Sequence, residues 1–179
     1  MRRRRAKEAR GAAEMEIREV VPEEYAEAGR VTADAYREFV RQGDDDWGRY
    51  LETLGDVAGR VGRTSVLVAV DATGILGTAT LELDDRIEAE EDGPLAPGEA
   101  HIRMLGVSPD ARKRGIARAL MAACEARALE AGRTLMTLHT TERMQGAQRM
   151  YEALGYERGE DRVFPDGFVL LSYAKRLSG

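Results

Sequence analysis

Residues 105–117 read Leu105-Gly106-Val107-Ser108-Pro109-Asp110-Ala111-Arg112-Lys113-Arg114-Gly115-Ile116-Ala117. An apolar strand end runs into a proline turn. A basic, glycine-containing turn then opens a long helix, predicted over 112–131 and closed by Gly132. The first amides of a helix have no backbone acceptor, and the helix dipole favours an anion beside them. Gly115 carries no side chain, so a phosphate can approach the amides of Lys113, Arg114, Gly115, Ile116 and Ala117. Arg112, Lys113, Arg114 and Arg118 surround that point with positive charge. A pyrophosphate is the natural guest. Neither the P-loop pattern G-x-x-x-x-G-K-[ST] nor the dinucleotide pattern G-x-G-x-x-G is present. Taken alone the turn is also compatible with basic residues that only face solvent.

Outward from this turn, the apolar spacing predicts a strand at 17–20 and a helix from Pro22 to about residue 40, with Val31, Ala35 and Phe39 on one face. A second helix opens at Asp44, Asp45 and Asp46, carries Trp47, Leu51, Leu54 and Val57, and is closed by Gly59 and Gly62. Strands at 64–70 and 75–83 form a hairpin around Asp71-Ala72-Thr73-Gly74. An acidic, proline-containing loop spans 84–98, and a strand at 100–107 comes after it. Beyond the long helix lie a strand at 134–138, a helix at 143–154 stopped by Gly155, and a last hairpin of 156–162 with 168–174. The order β-α-α-β-β-β-α-β-α-β-β lacks strict strand–helix alternation. It predicts an α/β fold of mixed type, with a mostly antiparallel central sheet and helices on both faces.

Composition narrows the chemistry. The 179 residues are 43% hydrophobic and 33% charged, with mean hydropathy −0.44. That suits one domain at 15–179 with a real core. The single cysteine, Cys124, excludes an intrachain disulfide, and with only His101 and His139 a His/Cys zinc centre is not expected. No apolar run approaches the roughly 20 residues of a membrane span. A cytoplasmic protein with no metal and no membrane partner is expected. The net charge of −5 hides an asymmetry. Arg2, Arg3, Arg4, Arg5, Lys7 and Arg10 face only Glu8 in the first ten residues, so 1–14 reads as a basic, disordered tail and the rest is more acidic than the total. An acidic body argues against nucleic acid and suits a cationic molecule.

Arg112-x-x-Gly115-x-Ala117 after Leu105-Gly106-Val107-Ser108-Pro109 closely resembles the acetyl-CoA signature of the GCN5-related N-acetyltransferases, [RQ]-x-x-G-x-[GA]. A second motif of that family recurs at the right distance as Ala147-x-x-x-Tyr151-x-x-x-Gly155-Tyr156. The resemblance covers about 17–177. It implies the family's fold, acetyl-CoA as acyl donor, and an amine of a small molecule or peptide as acceptor; a homodimer stays open. It further implies that backbone groups of Leu105, Gly106 and Val107 bind the pantetheine arm by strand addition. Arg112, Lys113, Arg114, Gly115, Ile116, Ala117 and Arg118 would hold the pyrophosphate, with Ala147 and Tyr151 completing the cofactor site. Asn usually stands three residues before Ala147; here it is Met144.

The resemblance also implies the proton chemistry. Tyr151 matches the family's general acid. His101 lies six residues before Val107, where family members often place a glutamate on the fourth strand; some branches, such as the arylalkylamine acetyltransferases, use histidine on this strand. His139 lies twelve residues before Tyr151, the base position of proteins similar to the ribosomal-protein alanine acetyltransferases. A neutral imidazole with pKa ~6.5 is a competent base. Glu99, Glu142 or a water chain could serve instead. Trp47 and Tyr50 could line the acceptor pocket or simply pack their helix. The acidic run from Asp84 to Asp92 could steer a cationic amine, or be a solvated loop. The alternative to an enzyme is a non-catalytic acyl-CoA-binding or regulatory module on the same scaffold.

Overall fold

The computed structural model describes residues 14–40, 45–87 and 93–179. The tail expected at 1–14 falls almost wholly outside these residues. So do the second helix's predicted start at Asp44 and residues 88–92 of the acidic loop. Strand β1 (Glu16–Glu19) leads through a turn at Pro22–Glu24 into helix α1 (Tyr25–Tyr36). Glu24 secures this entry, accepting from the Val21 amide at 3.2 Å and pairing with Arg18 at 2.7 Å. Helix α2 (Asp45–Gly55) stops two residues earlier than its apolar spacing suggests. The buried Arg60 explains this, because its Nη1 donates to the carbonyls of Thr53, Leu54 and Asp56 at 3.0–3.1 Å and caps the helix end.

Strands β2 (Ser65–Asp71) and β3 (Gly74–Glu82) form the predicted hairpin, with Gly74 at φ +121° in the turn. Then come β4 (Glu99–Val107), helix α3 (Ile116–Glu130), β5 (Leu135–Thr141) and helix α4 (Gln145–Ala153). The last hairpin differs from expectation. Its first arm splits into β6 (Glu157–Arg158) and β7 (Arg162–Val163), which both pair with the long β8 (Val169–Arg176).

The sheet runs β1-β2-β3-β4-β5-β8-β6, with β7 also on β8. Among the described residues only β4 and β5 are parallel; the other pairs are antiparallel. Alternation along the strands divides the core. Leu67, Ala69, Ala100, Ile102, Met136 and Leu138 pack with Ile116, Leu120 and Cys124 of α3. Burial pushes the Cys124 thiol up to about 12, so it stays protonated. Val66, Val68 and Ile75 pack on the opposite face with Ala28 and Val31 of α1. The fold is thus the mixed α/β type predicted, with helices on both faces. Among the described residues no helix is long and apolar enough to cross a membrane.

Two irregularities shape the middle of the sheet. The β4–β5 register runs from Glu99↔Leu135 to Ile102↔Leu138 and stops there, although β5 continues pairing with β8 as far as Thr141↔Leu170. The two strands therefore part beyond Ile102. Opposite this point β4 holds one more residue than β3 between Thr78↔Gly106 and Thr80↔Arg103, and Met104 there has φ +53°. A bulge of this kind bends its strand and re-aims the residues beyond it.

Candidate active site

The parted strands open a cleft of about 670 Å³. Leu105, Gly106 and Val107 line it from β4. One backbone edge of these residues is engaged by β3 through Gly77↔Val107 and Thr78↔Gly106, and among the described residues no strand pairs with the edge toward β5. An extended ligand can add there as a strand.

At the start of α3 the cleft is lined by Arg112, Lys113, Gly115, Ile116, Ala117 and Arg118. The helix begins at Ile116, not at Arg112 as its sequence suggested. Lys113 at φ +63° and Gly115 at φ +76° lie in the left-handed region and break the helical path. Successive residues that alternate in this way turn their amides to one side and form an anion-binding concavity. A Cβ built on Gly115 meets nothing within 4 Å, so the space over the turn is open to a ligand. The basic, amide-lined, uncrowded turn fits a pyrophosphate. Arg112 is held at the rim by Glu38 at 2.6 Å. Arg114 does not line the cleft; its Nη2 donates to Asp71 at 3.1 Å. Asp71 sits below the usual carboxylate range, chiefly because Thr73 hydrogen-bonds it and additionally because of Arg114.

Helix α4 supplies the far wall with Ala147, Met150 and Tyr151. It starts at Gln145, with Met144 at its N-cap, also lining the cleft. Tyr151 is 6% exposed, its ring 5.8 Å from that of Tyr173 and 6.0 Å from that of Tyr156. Burial, with a smaller contribution from Tyr173, pushes its phenol well above the ordinary value of about 10. It therefore holds its proton throughout the neutral range.

The two histidines are brought together but placed differently. His139 lines the cleft from β5. His101 is 2% exposed and is not among the lining residues, yet its ring centroid is 5.1 Å from that of His139. Burial, then His139, Arg86 and Arg103 in turn, drives the His101 pKa well below 6.5, so its ring is neutral at neutral pH.

Several lining residues were not anticipated from the sequence. Tyr36 enters from the end of α1 and Phe39 from the short turn after it (Arg37–Phe39), and Arg143 and Thr140 from around β5. Arg143 Nη1 donates to the Phe39 carbonyl at 2.9 Å and ties the two rims together. Burial raises the Tyr36 phenol well above its ordinary value. From Tyr36 an edge-on aromatic row runs to Tyr50 (6.2 Å) and Trp47 (5.6 Å from Tyr50), so the two aromatics singled out in the sequence adjoin the cleft without lining it. Among the described residues no group of three His, Cys, Asp or Glu side chains could hold a metal ion.

An open mixed sheet parted between its central parallel strands, with an amide-lined basic turn at the helix start beside the gap, is the architecture of an acyl-CoA-dependent acetyltransferase fold. The chain belongs to the Acetyltransferase (GNAT) family, whose pattern it matches over residues 29–156. No curated protein sequence matches it. Among solved structures it is similar to a GNAT-family protein from Desulfovibrio desulfuricans, with 16% identity, TM-score 0.71, and coverage of 92% of this chain and 99% of that one. It is similar also to the ribosomal-protein-S18-alanine N-acetyltransferase of Escherichia coli (16% identity, TM-score 0.67, 92% and 95% covered). A third is a Salmonella typhimurium protein solved with its cofactor acetyl-CoA (16% identity, TM-score 0.64, 92% and 94% covered). At these identities the likeness is one of fold.

Proposed function

We propose that the protein transfers the acetyl group of acetyl-CoA to the nitrogen of an amine on a small molecule or peptide. The observation that carries this reading is the cleft between β4 and β5, lined at once by the basic turn at 112–118 and by Tyr151 and His139. The Salmonella typhimurium protein of the same fold, solved with acetyl-CoA, supports the choice of donor.

In this reading acetyl-CoA supplies an electrophilic thioester carbonyl and a thiol leaving group. The free edge of residues 105–107 takes the pantetheine arm. The amides of the α3 turn, with Arg112, Lys113 and Arg118, take the diphosphate. A backbone amide beside the Met104 bulge polarises the carbonyl oxygen. The amine nitrogen bonds to the carbonyl carbon as the carbon–sulfur bond breaks. His139 takes the proton released by the amine. Tyr151 gives its phenolic proton to the departing sulfur and regains one from solvent. A free thiol has a pKa of ~8.5, below that of the phenol. The transfer relies on a sulfur that carries charge in a buried site, where its basicity also rises.

The test is a screen of amines with acetyl-CoA, reading acetylated product by mass spectrometry for the wild type and Tyr151→Phe. Amine-dependent product that falls sharply in Tyr151→Phe supports the reading. Stabilisation by CoA with no product on any amine would favour the non-catalytic module.

A further inference from the structure

Behind the cleft, on the face of β4 and β5 opposite α3, the buried polar groups form a chain. His101 Nδ1 lies 2.7 Å from Thr137 Oγ1. Thr137 Oγ1 donates to Glu99 Oε1 at 2.6 Å. Glu99 also accepts from Arg86 Nη2 and from the Ala96 amide, both at 2.8 Å. Glu99, Arg86 and His101 are all less than a tenth exposed. The register His101↔Thr137 brings the ring and the hydroxyl side by side, and His139 lies two residues later on the same face of β5.

Counting donors fixes the ring. A threonine hydroxyl has one hydrogen. Thr137 gives it to a carboxylate at 2.6 Å, the strongest acceptor in reach; the Ala100 carbonyl is 3.4 Å away. Its oxygen can then only accept from His101. Nδ1 must carry the ring hydrogen, and Nε2 keeps the lone pair. The same logic operates wherever a carboxylate orients an imidazole, here with a hydroxyl inserted between them. Around the ring stand Arg103 and Glu99 on β4, Arg86 in the preceding loop, His139 on β5 and, on β3, Glu82, the cross-strand partner of His101. The buried site opposes a second proton, and so a positive charge, on the ring, and the three cationic or ionisable nitrogen groups oppose it further.

We propose that Thr137 and Glu99 are positioning residues that lock His101 as the neutral Nδ1–H tautomer, and that this fixed ring prepares His139 to take the acceptor's proton. The second half rests on the acetyltransferase reading; the first does not. The locked neutral ring, 5.1 Å from that of His139 between centroids, puts no positive charge beside a developing imidazolium. A ring released from the lock and able to take up a second proton would oppose it.

The experiment is imidazole ¹⁵N NMR on the full chain, where the two histidines are told apart with His139→Gln. At pH 7 the His101 ring should give the Nδ1–H pattern. Thr137→Val, similar in volume but without the hydroxyl, should lose that pattern. It should also lower kcat about tenfold with the KM for acetyl-CoA unchanged, the scale expected for one lost hydrogen bond. The acidic limb of its pH–rate profile should move, and Thr137→Ser should restore both readouts. An Nε2–H or charged His101 in the wild type would overturn the proposal, as would a Thr137→Val protein with unmoved tautomer and pH profile. Where Thr137→Val does not fold, the wild-type spectrum still decides the lock. If no amine is acetylated, it is the acetyltransferase reading that fails, and the same spectrum still supports or overturns the tautomer.

Discussion

Replacing Gly115 with glutamate puts a carboxylate where the diphosphate of acetyl-CoA is expected. Gly115 is exposed, has φ +76°, and faces open space over the amides that begin α3. The substitution carries two separable penalties. Any L residue in the left-handed region costs about 1–2 kcal/mol of stability. The charge acts only when the ligand is bound. For a carboxylate about 5 Å from one phosphate charge, Coulomb's law gives about 0.8 kcal/mol at an effective dielectric of 80 and about 3 kcal/mol at 20. These correspond to about fourfold and about two-hundredfold weaker binding. Gly115→Ala carries the first penalty without the second. Calorimetric titration with CoA should therefore find Gly115→Glu weakened within that range and Gly115→Ala close to wild type. Thermal melts without ligand should find both variants similarly destabilised. Added salt should narrow the gap between the two affinities. A Gly115→Glu protein that binds CoA as tightly as wild type would refute the placement of the diphosphate. So would a Gly115→Ala protein that loses as much affinity as the glutamate.

Tyr151→Phe should lower kcat by about 10²–10⁴-fold, the usual worth of a general acid, and leave CoA affinity intact; steady-state rates paired with calorimetry check this. Because burial raises the Tyr151 phenol, the wild-type rate should show no loss from its ionisation as pH rises to about 10. His101 is neutral in the folded protein while an unfolded histidine protonates below about pH 6.5, so the unfolded state binds the extra proton and folding stability falls as pH drops below that point. The slope approaches about 1.4 kcal/mol per pH unit for this one group, and urea melts at pH 7.5 and 5.5 should find a smaller difference in His101→Asn than in wild type. Gly29→Ala should cost about 1–3 kcal/mol, since its Cβ would sit 2.1 Å from the Gly55 carbonyl where α1 meets α2, and an unchanged melting temperature would contradict that packing.

The fold type and the basic turn that lines one end of the cleft were readable in the sequence because local patterns encode them. Apolar alternation marks the strands, and the residues from Leu105 to Ala117 carry their own chemistry. What escaped was set by partners distant in the chain. The family resemblance implied a free edge at residues 105–107, but residues 99–107 by themselves do not place the end of pairing with β5 at Ile102, since both strands keep their alternation beyond it. Methionine and lysine are not left-handed formers, so the bulge at Met104 and the true helix start at Ile116 left no trace. Tyr36 and Arg143 reach the cleft through packing of α1 against β4 and a rim contact to Phe39. Both histidines stood out by scarcity. Only the register of β4 against β5 separates the buried His101 from the cleft-lining His139, and only that register seats Thr137 and Glu99 behind the ring.

The proposed acetyl transfer turns on the gap between β4 and β5 being the acyl-donor site. A crystal structure of the full chain with CoA is the decisive measurement. The diphosphate should lie on the amides of residues 113–117, the pantetheine arm along the free edge of residues 105–107, and the sulfur within hydrogen-bonding reach of the Tyr151 hydroxyl. CoA bound elsewhere on the chain, or a sulfur remote from Tyr151 with the arm outside the gap, would contradict that assignment.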